Sequence, residues 1–284
     1  MQKIGIIGYG IVGKAIGAYY ENLNVPIVIF DKYCGINTIE SIFETSITYI
    51  CVPTPNNGIN IRTSTETNIS TETETETNIS ASINLTEVDN VFSSMHGYLG
   101  EIVLKSTVMP GTTDSYIDKY PDLNISFCPE FLSAKTNIYD YANQRNIILG
   151  KGRNKSKNNI LEEWYSTMYP HAELHVVQCI EAESVKIFSN VFYAVKVQTF
   201  TEFYLACRYN GADFDIIRDL MLKNNWINPM HTQVPCNGRI SFSGMCFPKD
   251  IASFNKYLED NKLSNAVISA AMSESIRHNS ESFP

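Results

Sequence analysis

Short apolar runs, punctuated by glycine, proline and acidic residues, set the pattern of the first half of the chain. Residues 3–7, 25–30, 47–52 and 101–108 are such runs, and 125–128, 147–149 and 175–177 are shorter ones. Runs of this length between turn residues read as buried strands. Helical patterns lie between them, one from the glycine-rich turn at residues 8–13 through Tyr20 and one over residues 85–95. Strands alternating with helices predict β-α-β units and a parallel sheet. Ligands of such sheets sit at the carboxyl ends of the strands. Asp31, Pro53, Thr54, Ser106 and Thr107 fall at those ends.

From residue 181 the pattern changes. Val185, Phe188, Val191, Phe192, Val195 and Phe200 recur at helical spacing. One long helix over 181–209 is predicted, then helices at 215–223 and 250–261, with a loop at 224–245 between them. Residues 62–82 stand apart. Thr65 to Ser70 and Thr75 to Ser80 both read Thr-Glu-Thr-Asn-Ile-Ser. A polar tandem repeat with few apolar groups cannot form a core, so a disordered, low-complexity surface insertion is expected.

The chain has 284 residues, of which 44% are hydrophobic and 18% charged, as in ordinary soluble proteins. No apolar run reaches the ~18 residues of a membrane span, and the N-terminus lacks a signal-peptide layout. The net charge of −8 argues against a nucleic-acid partner. Seven cysteines without a C-x-x-C pair point to reduced thiols in a cytoplasmic setting, with no disulfide scaffold and no metal site. Asn-x-Ser/Thr triplets at Asn68, Asn78, Asn84 and Asn124 read as chance.

Gly8-Tyr9-Gly10-Ile11-Val12-Gly13 follows a strand and opens a helix. The first glycine permits a tight turn, the second lets backbone approach a pyrophosphate, and the third lets helix and strand pack closely. Asp31, eighteen residues after Gly13 at a strand end, suits a ribose 2′-hydroxyl and repels a 2′-phosphate. NAD is therefore expected rather than NADP, with Lys32 beside the acid. The fold class that follows is α/β: a Rossmann-type doubly wound domain over 1–180, then an all-α domain over 181–284 that carries the cysteine loop. In that loop, Cys246-Phe247-Pro248-Lys249-Asp250 offers a thiol with a carboxylate four residues on. A thiol can hold an aldehyde carbon covalently. Lys249 could lower the thiol pKa or touch cofactor phosphate. Lys186 and Asn190 lie four apart on the long helix, where a lysine can hold an oxyanion or help a water take a proton. Glu130 follows Pro129 at a strand end, where a carboxylate can orient a water. Blander readings exist for each: a buried small cysteine, a solvated i,i+4 pair, a helix N-terminal acid.

Taken together, these pieces resemble the UDP-glucose 6-dehydrogenase family, within the UDP-glucose/GDP-mannose dehydrogenases. The resemblance runs in order through Gly8 to Gly13, Cys51-Val52-Pro53-Thr54-Pro55, Lys105-Ser106-Thr107-Val108-Met109-Pro110-Gly111-Thr112-Thr113, Cys128-Pro129-Glu130-Phe131-Leu132, and Arg145 to Gly150. It continues over Glu183 to Asn190, His231-Thr232-Gln233-Val234-Pro235 and Cys246 to Asp250. It implies a two-step oxidation of a sugar C6 alcohol with NAD and no metal. Lys186 and Asp250, with a water, would take the hydroxyl proton. Cys246 would form a thiohemiacetal and then a thioester. A water near Thr107, activated by Glu130, would hydrolyse it, with Lys186 and Asn190 steadying the oxyanion. The resemblance also implies substrate contacts from Glu130, Phe131, Leu132, Lys186, Asn190, Phe242 and Gly244, and a homodimer through the helical domain. NAD would be held by Gly8, Gly10, Ile11, Val12, Gly13, Asp31, Lys32, Pro53, Thr54, Ser106, Thr107, Glu130 and Lys249.

The sequence departs from the family at several positions. Ser241-Phe242-Ser243-Gly244 replaces the usual Gly-Phe-Gly-Gly, which is expected to narrow the pocket. Trp226 stands in place of a common arginine, and Ala134-Lys135 in place of Glu-Gly. Full-length members add a C-terminal domain that grips the nucleotide, and a chain ending at Pro284 is expected to be a short form without it. UDP-glucose is the first candidate for the substrate, and UDP-glucuronate for polysaccharide synthesis the expected product. GDP-mannose or a UDP-N-acetylhexosamine, a non-catalytic NAD-binding remnant, and a simple β-hydroxyacid dehydrogenase are the alternatives.

Overall fold

Alternation within each strand explains how the first half of the chain builds a core on two faces of one sheet. The structure, a computed structural model, describes residues 2–57, 60–67, 73–152, 159–236 and 238–280. Strand β1 (Ile4–Ile7) leads into helix α1 (Ile11–Asn22), then β2 (Ile27–Phe30), a 3-10 turn (Ile39–Glu44) and β3 (Ile47–Ile50). Strands β4 (Asn60–Thr67) and β5 (Thr73–Ser80) come next, followed by α2 (Thr86–Ser94), β6 (Glu101–Leu104), α3 (Thr112–Lys119) and β7 (Asn124–Phe127). Helix α4 (Asn137–Ala142), β8 (Asn146–Lys151), α5 (Ile160–Met168) and β9 (Glu173–Gln178) complete the α/β part. Ile4 and Ile6 enter one apolar cluster with Ile47, Tyr49 and Val103, whereas Ile7 joins Ile50, Ile102 and Leu104 in the other. Successive side chains of a strand point to opposite faces, so strands covered on both sides must be apolar throughout. That is why these strands read as continuous apolar runs.

The sheet has seven strands in the order β2-β1-β3-β6-β7-β8-β9. All neighbours are parallel except β7 and β8, which are antiparallel. The expected parallel sheet is present, with this one antiparallel pair within it. Only Ser126↔Lys151 and Phe127↔Gly150 pair, so β8 starts beyond the carboxyl end of β7 and runs back toward it. No crossover along the whole sheet is needed, and the short α4 suffices. The order reverses between β1 and β3, the switch point at which ligands of such sheets bind.

Residues 62–82 carry the threonine-rich repeat. Within the described residues, β4 and β5 form an antiparallel pair in the register Thr63↔Thr77, Thr65↔Thr75 and Thr67↔Thr73. Residues 68–72, which also belong to the expected disordered insertion, lie outside the described residues. Threonine at every second position suits an extended pair, because β-branched residues favour the pleated backbone.

Helix α6 (Cys179–Asn210) is followed by α7 (Phe214–Leu222), α8 (Phe247–Asp260) and α9 (Ala266–Ser280). The chain divides into two compact units, Met1–Pro55 with Asn84–Ile187 and Asn56–Ile83 with Phe188–Pro284. The division between these units falls inside α6, and β4 and β5 go with the later helices. In the second unit β5 runs beside α8 and α9. Phe200, Cys207, Phe214 and Val234 form a buried cluster there.

Candidate functional site

In the first unit, the turn after β1 is built as the glycine spacing requires. Gly8 adopts φ 89°, and a Cβ there would lie 2.8 Å from the Cys51 carbonyl oxygen. A Cβ on Gly13 would lie 2.1 Å from the Gly8 carbonyl oxygen, so α1 packs against β1 only with glycine there. Gly10 differs: nothing lies within 4 Å of its Cβ position. It is exposed, like its neighbour Ile11, while Val12 is half-buried. The result is an open cradle at a helix N-terminus, a shape that accepts a pyrophosphate on backbone N–H groups.

Asp31 closes this turn. Its Oδ2 accepts from the Tyr9 N–H (2.7 Å), and its Oδ1 from those of Tyr33 and Cys34 (both 2.9 Å). Burial pushes its carboxyl up, but the three N–H groups more than offset this and hold it below the usual range. Oδ2 keeps a lone pair for a ribose hydroxyl, so Asp31 fits NAD. Lys32 turns instead to Glu87, with Nζ 2.6 Å from Oε2.

Two loops lie at the next strand ends. Ser106 Oγ donates to the Val52 carbonyl (2.7 Å), and Thr54 Oγ1 donates to the Thr107 carbonyl (2.7 Å). These bonds join the segment after β3, including exposed Pro53, to the segment after β6. Past β7, Lys186 Nζ donates to both the Glu130 carbonyl (2.5 Å) and its Oε1 (2.8 Å). The Leu132 N–H donates to Glu130 Oε2 (2.8 Å), and the half-exposed Phe131 ring lies 5.4 Å from Lys186 Nζ. Burial pushes the Glu130 carboxyl up, but Lys186, the Leu132 N–H and Lys105 together hold it below the usual range. Glu130 is thus ionised at neutral pH, as a base for water must be.

Sequence reasoning gave Lys105 no role. It is buried, and its Nζ donates to the Pro129 carbonyl (3.1 Å) and approaches Cys128 Sγ (3.4 Å). A lysine at the end of an apolar strand run was the available signal. Burial outweighs the pull of Lys105 and pushes the Cys51 thiol up to about 12. Cys51 is therefore neutral and a poor nucleophile.

The second unit holds the thiol. Cys246 is exposed and occupies the N-cap of α8, with Phe247 and Pro248 opening the helix. The N-terminus of a helix is the end that favours negative charge. One turn on, buried Asp250 accepts from Asn190 Nδ2 at Oδ2 (2.6 Å). Lys249 Nζ lies 2.8 Å from Oδ1, an ion pair rather than an aligned hydrogen bond. A cavity of about 390 Å³ adjoins the loop, lined by Phe242, Ser243, Gly244, Arg239, Ile251 and Met272 among others. Gly244 has φ 87°, whereas neither Ser241 nor Ser243 has a positive φ. Ser241 is buried, and its Oγ donates to Gln198 Oε1 (2.8 Å). The loop thus keeps glycine where the backbone needs it. Of the two serines, Ser243 faces the cavity. Trp226 is 89% exposed.

Comparison with known proteins identifies both parts of the chain. The NAD binding domain of the UDP-glucose/GDP-mannose dehydrogenase family matches residues 32–169, and its central domain matches residues 180–275. The glycine turn and Asp31 precede the first match. UDP-glucose 6-dehydrogenase of Rickettsia bellii is 31% identical over 185 residues, which are 63% of this chain and 41% of that protein. The chain spans about two fifths of the length of that curated relative. In fold it is similar to a UDP-glucose dehydrogenase from Pyrobaculum islandicum, with TM-score 0.76 and 22% identity over 99% of this chain and 68% of that one. A UDP-D-ManNAc dehydrogenase from Pyrococcus horikoshii gives TM-score 0.77 and 16% identity, over 98% and 69% of the two chains. With both domain matches in order along most of its length, the chain belongs to the UDP-glucose/GDP-mannose dehydrogenase family.

Proposed function

We propose that this chain oxidises the C6 alcohol of UDP-glucose to the acid, consuming one water and two NAD⁺ and yielding UDP-glucuronic acid, two NADH and two protons. The observation that carries the reading is Cys246 at the N-cap of α8, with Asp250 one turn on and held by Asn190. NAD⁺ supplies the electron acceptor, taking one hydride from C6 in each oxidation. Gly8, Gly10, Ile11, Val12 and Gly13 would hold its pyrophosphate, and Asp31 its adenosine ribose. Pro53, Thr54, Ser106 and Thr107, at neighbouring strand ends, would flank its nicotinamide half.

Lys186 and Asp250, through a water, take the hydroxyl proton in the first oxidation. The Cys246 sulfur then bonds to the aldehyde carbon, and its proton passes to the new hydroxyl. Loss of the second hydride and of that proton leaves a thioester. Glu130 draws a proton from water near Thr107, the water attacks the carbonyl carbon, and the C–S bond breaks to release the acid and the thiol. Lys186 and Asn190 donate to the oxyanion between these events. Phe131, Leu132, Phe242 and Gly244 shape the sugar site.

The same reading includes a homodimer through the helical unit, supported by exposed Phe188, Phe192, Phe203 and Trp226. A cytoplasmic setting belongs to the same reading, supported by seven cysteines spaced without a C-x-x-C pair. No helix among the described residues is long and apolar enough to cross a membrane. The product would serve as a glucuronate donor for polysaccharide.

Limiting UDP-glucose with excess NAD⁺ tests the reaction by counting NADH at completion. Two NADH per sugar is the expected result. One per sugar marks a simple alcohol dehydrogenase. None, with NAD⁺ still bound, rejects UDP-glucose and directs the same assay to GDP-mannose and UDP-N-acetylhexosamines.

A further inference from the structure

Glu183, fully buried in the second turn of α6, takes no part in the chemistry above. Its Oε2 accepts from the Gly111 N–H (2.6 Å) and its Oε1 from the Thr113 N–H (2.7 Å). These donors belong to the start of α3, where helix N–H groups have no partner within the helix. Gly111 caps α3 with φ 92° and no capping side chain, so the cap comes from another helix. The tie extends in both directions. Thr112 donates through its N–H (3.1 Å) and its Oγ1 (2.6 Å) to the Met109 carbonyl, two residues past Thr107, whose own carbonyl is held by Thr54. Three residues along α6, Lys186 grips Glu130.

We infer that Glu183 is a positioning residue: its ionised carboxylate ties the start of α3, and with it the Thr107 loop, to the turn of α6 that carries Lys186, and protonation loosens the tie. Each carboxylate oxygen accepts one N–H. A proton on either oxygen weakens that oxygen as an acceptor. Titratable neighbours are Asp114, from α3, and Cys179, from the first turn of α6. Burial keeps the Cys179 thiol neutral. Burial, opposed by Thr113 and Gly111 and reinforced by the charge of Asp114, pushes Glu183 up to about 7. The tie is therefore full above neutrality and weakens below it.

The link to turnover rests on the proposed reaction, but the tie itself does not. Nuclear magnetic resonance of the whole chain between about pH 5.5 and 8.5 spans the relevant ionisation. The carboxyl carbon of Glu183 and the amides of Gly111 and Thr113 are expected to titrate with one shared midpoint. Both amide titrations are expected to vanish in Glu183→Gln. Amides that do not follow the carboxyl, or that titrate unchanged in the variant, overturn the inference. Should the variant not fold, the parent's carboxyl and amide midpoints still decide it. In the active protein, kcat is expected to fall below neutrality with the KM for NAD⁺ little changed. Glu183→Gln is expected to lower kcat roughly tenfold above neutrality, the effect of one lost charged hydrogen bond, and to flatten its pH profile. A parent-like kcat and profile in the variant also overturn the positioning role. Absent turnover with intact amide titration rejects the proposed reaction and leaves the tie established.

Discussion

Lys186 holds Glu130 twice, by its backbone carbonyl at 2.5 Å and by its Oε1 at 2.8 Å. One ammonium thus fixes both the peptide and the charge of the carboxylate, and both side chains are largely out of water. Lys186→Met leaves that carboxylate buried without its main counter-charge. The expected cost is about 3 kcal/mol of stability near neutral pH. Glu130 is held below its ordinary range, so its contribution is present above the unfolded carboxylate pKa. It is lost as pH falls through the folded one. Urea denaturation of parent and variant should therefore show a gap that narrows as pH falls through the carboxylate range. A gap constant with pH rules out this account of the pair.

Gly10 and Gly13 separate binding from folding. Gly13→Ala places a methyl 2.1 Å from the Gly8 carbonyl oxygen, against backbone that cannot yield. It should cost about 3 kcal/mol, the upper end of overpacking. Gly10→Ala meets nothing within 4 Å and needs no unusual φ. Its methyl projects into the open cradle. The melting temperature should stay put while NAD⁺ affinity falls roughly tenfold or more, about 1.4 kcal/mol. Calorimetric titration beside a thermal melt checks both, and unchanged NAD⁺ affinity in Gly10→Ala removes this turn from the cofactor site.

How much could be read in advance depended on how local each feature was. β1, β3 and β6 were legible because burial on both faces makes them apolar throughout, and the glycine turn because its three glycines fall within six residues. Direction was not: the run that becomes β8 looks the same in either sense. The Thr-Glu repeat reads as coreless from composition, yet its alternation also suits two paired strands. Glu183 and Lys105 were passed over because their partners, Gly111 and Pro129, are 72 and 24 residues away. Ser241 looked like an obstruction in the cysteine loop. In the fold its hydroxyl turns to Gln198, a bond no local pattern announces.

Asn190 and Asp250 should behave as one unit. The 2.6 Å bond joins an amide donor to a buried carboxylate, and charge-assisted bonds of this kind are the stronger ones. Removing either partner costs the other this bond, although Asp250 keeps its ion pair with Lys249. Asn190→Ala and Asp250→Ala should therefore not be additive, with a coupling of about 1–2 kcal/mol in a double-mutant cycle read by urea denaturation. Additivity within a few tenths of a kcal/mol would show that the bond contributes nothing.

Glu183 should leave a signature in stability that opposes its effect on the tie. Its folded pKa, pushed up to about 7, lies above the ordinary glutamate value of 4.5. Between those values the folded chain keeps a proton that the unfolded chain has lost. Stability from this group is therefore present in full below the lower value. It is lost as pH rises through the upper one. The whole change amounts to roughly 3 kcal/mol. Glu183→Gln cannot titrate, and its lost hydrogen bond is an offset independent of pH. The stability of the variant minus that of the parent should therefore climb by that amount between the two values and be flat above them. Urea denaturation over that range measures it directly. A difference that does not change with pH would mean that Glu183 is ionised throughout, and that the α3 cap does not switch near neutrality.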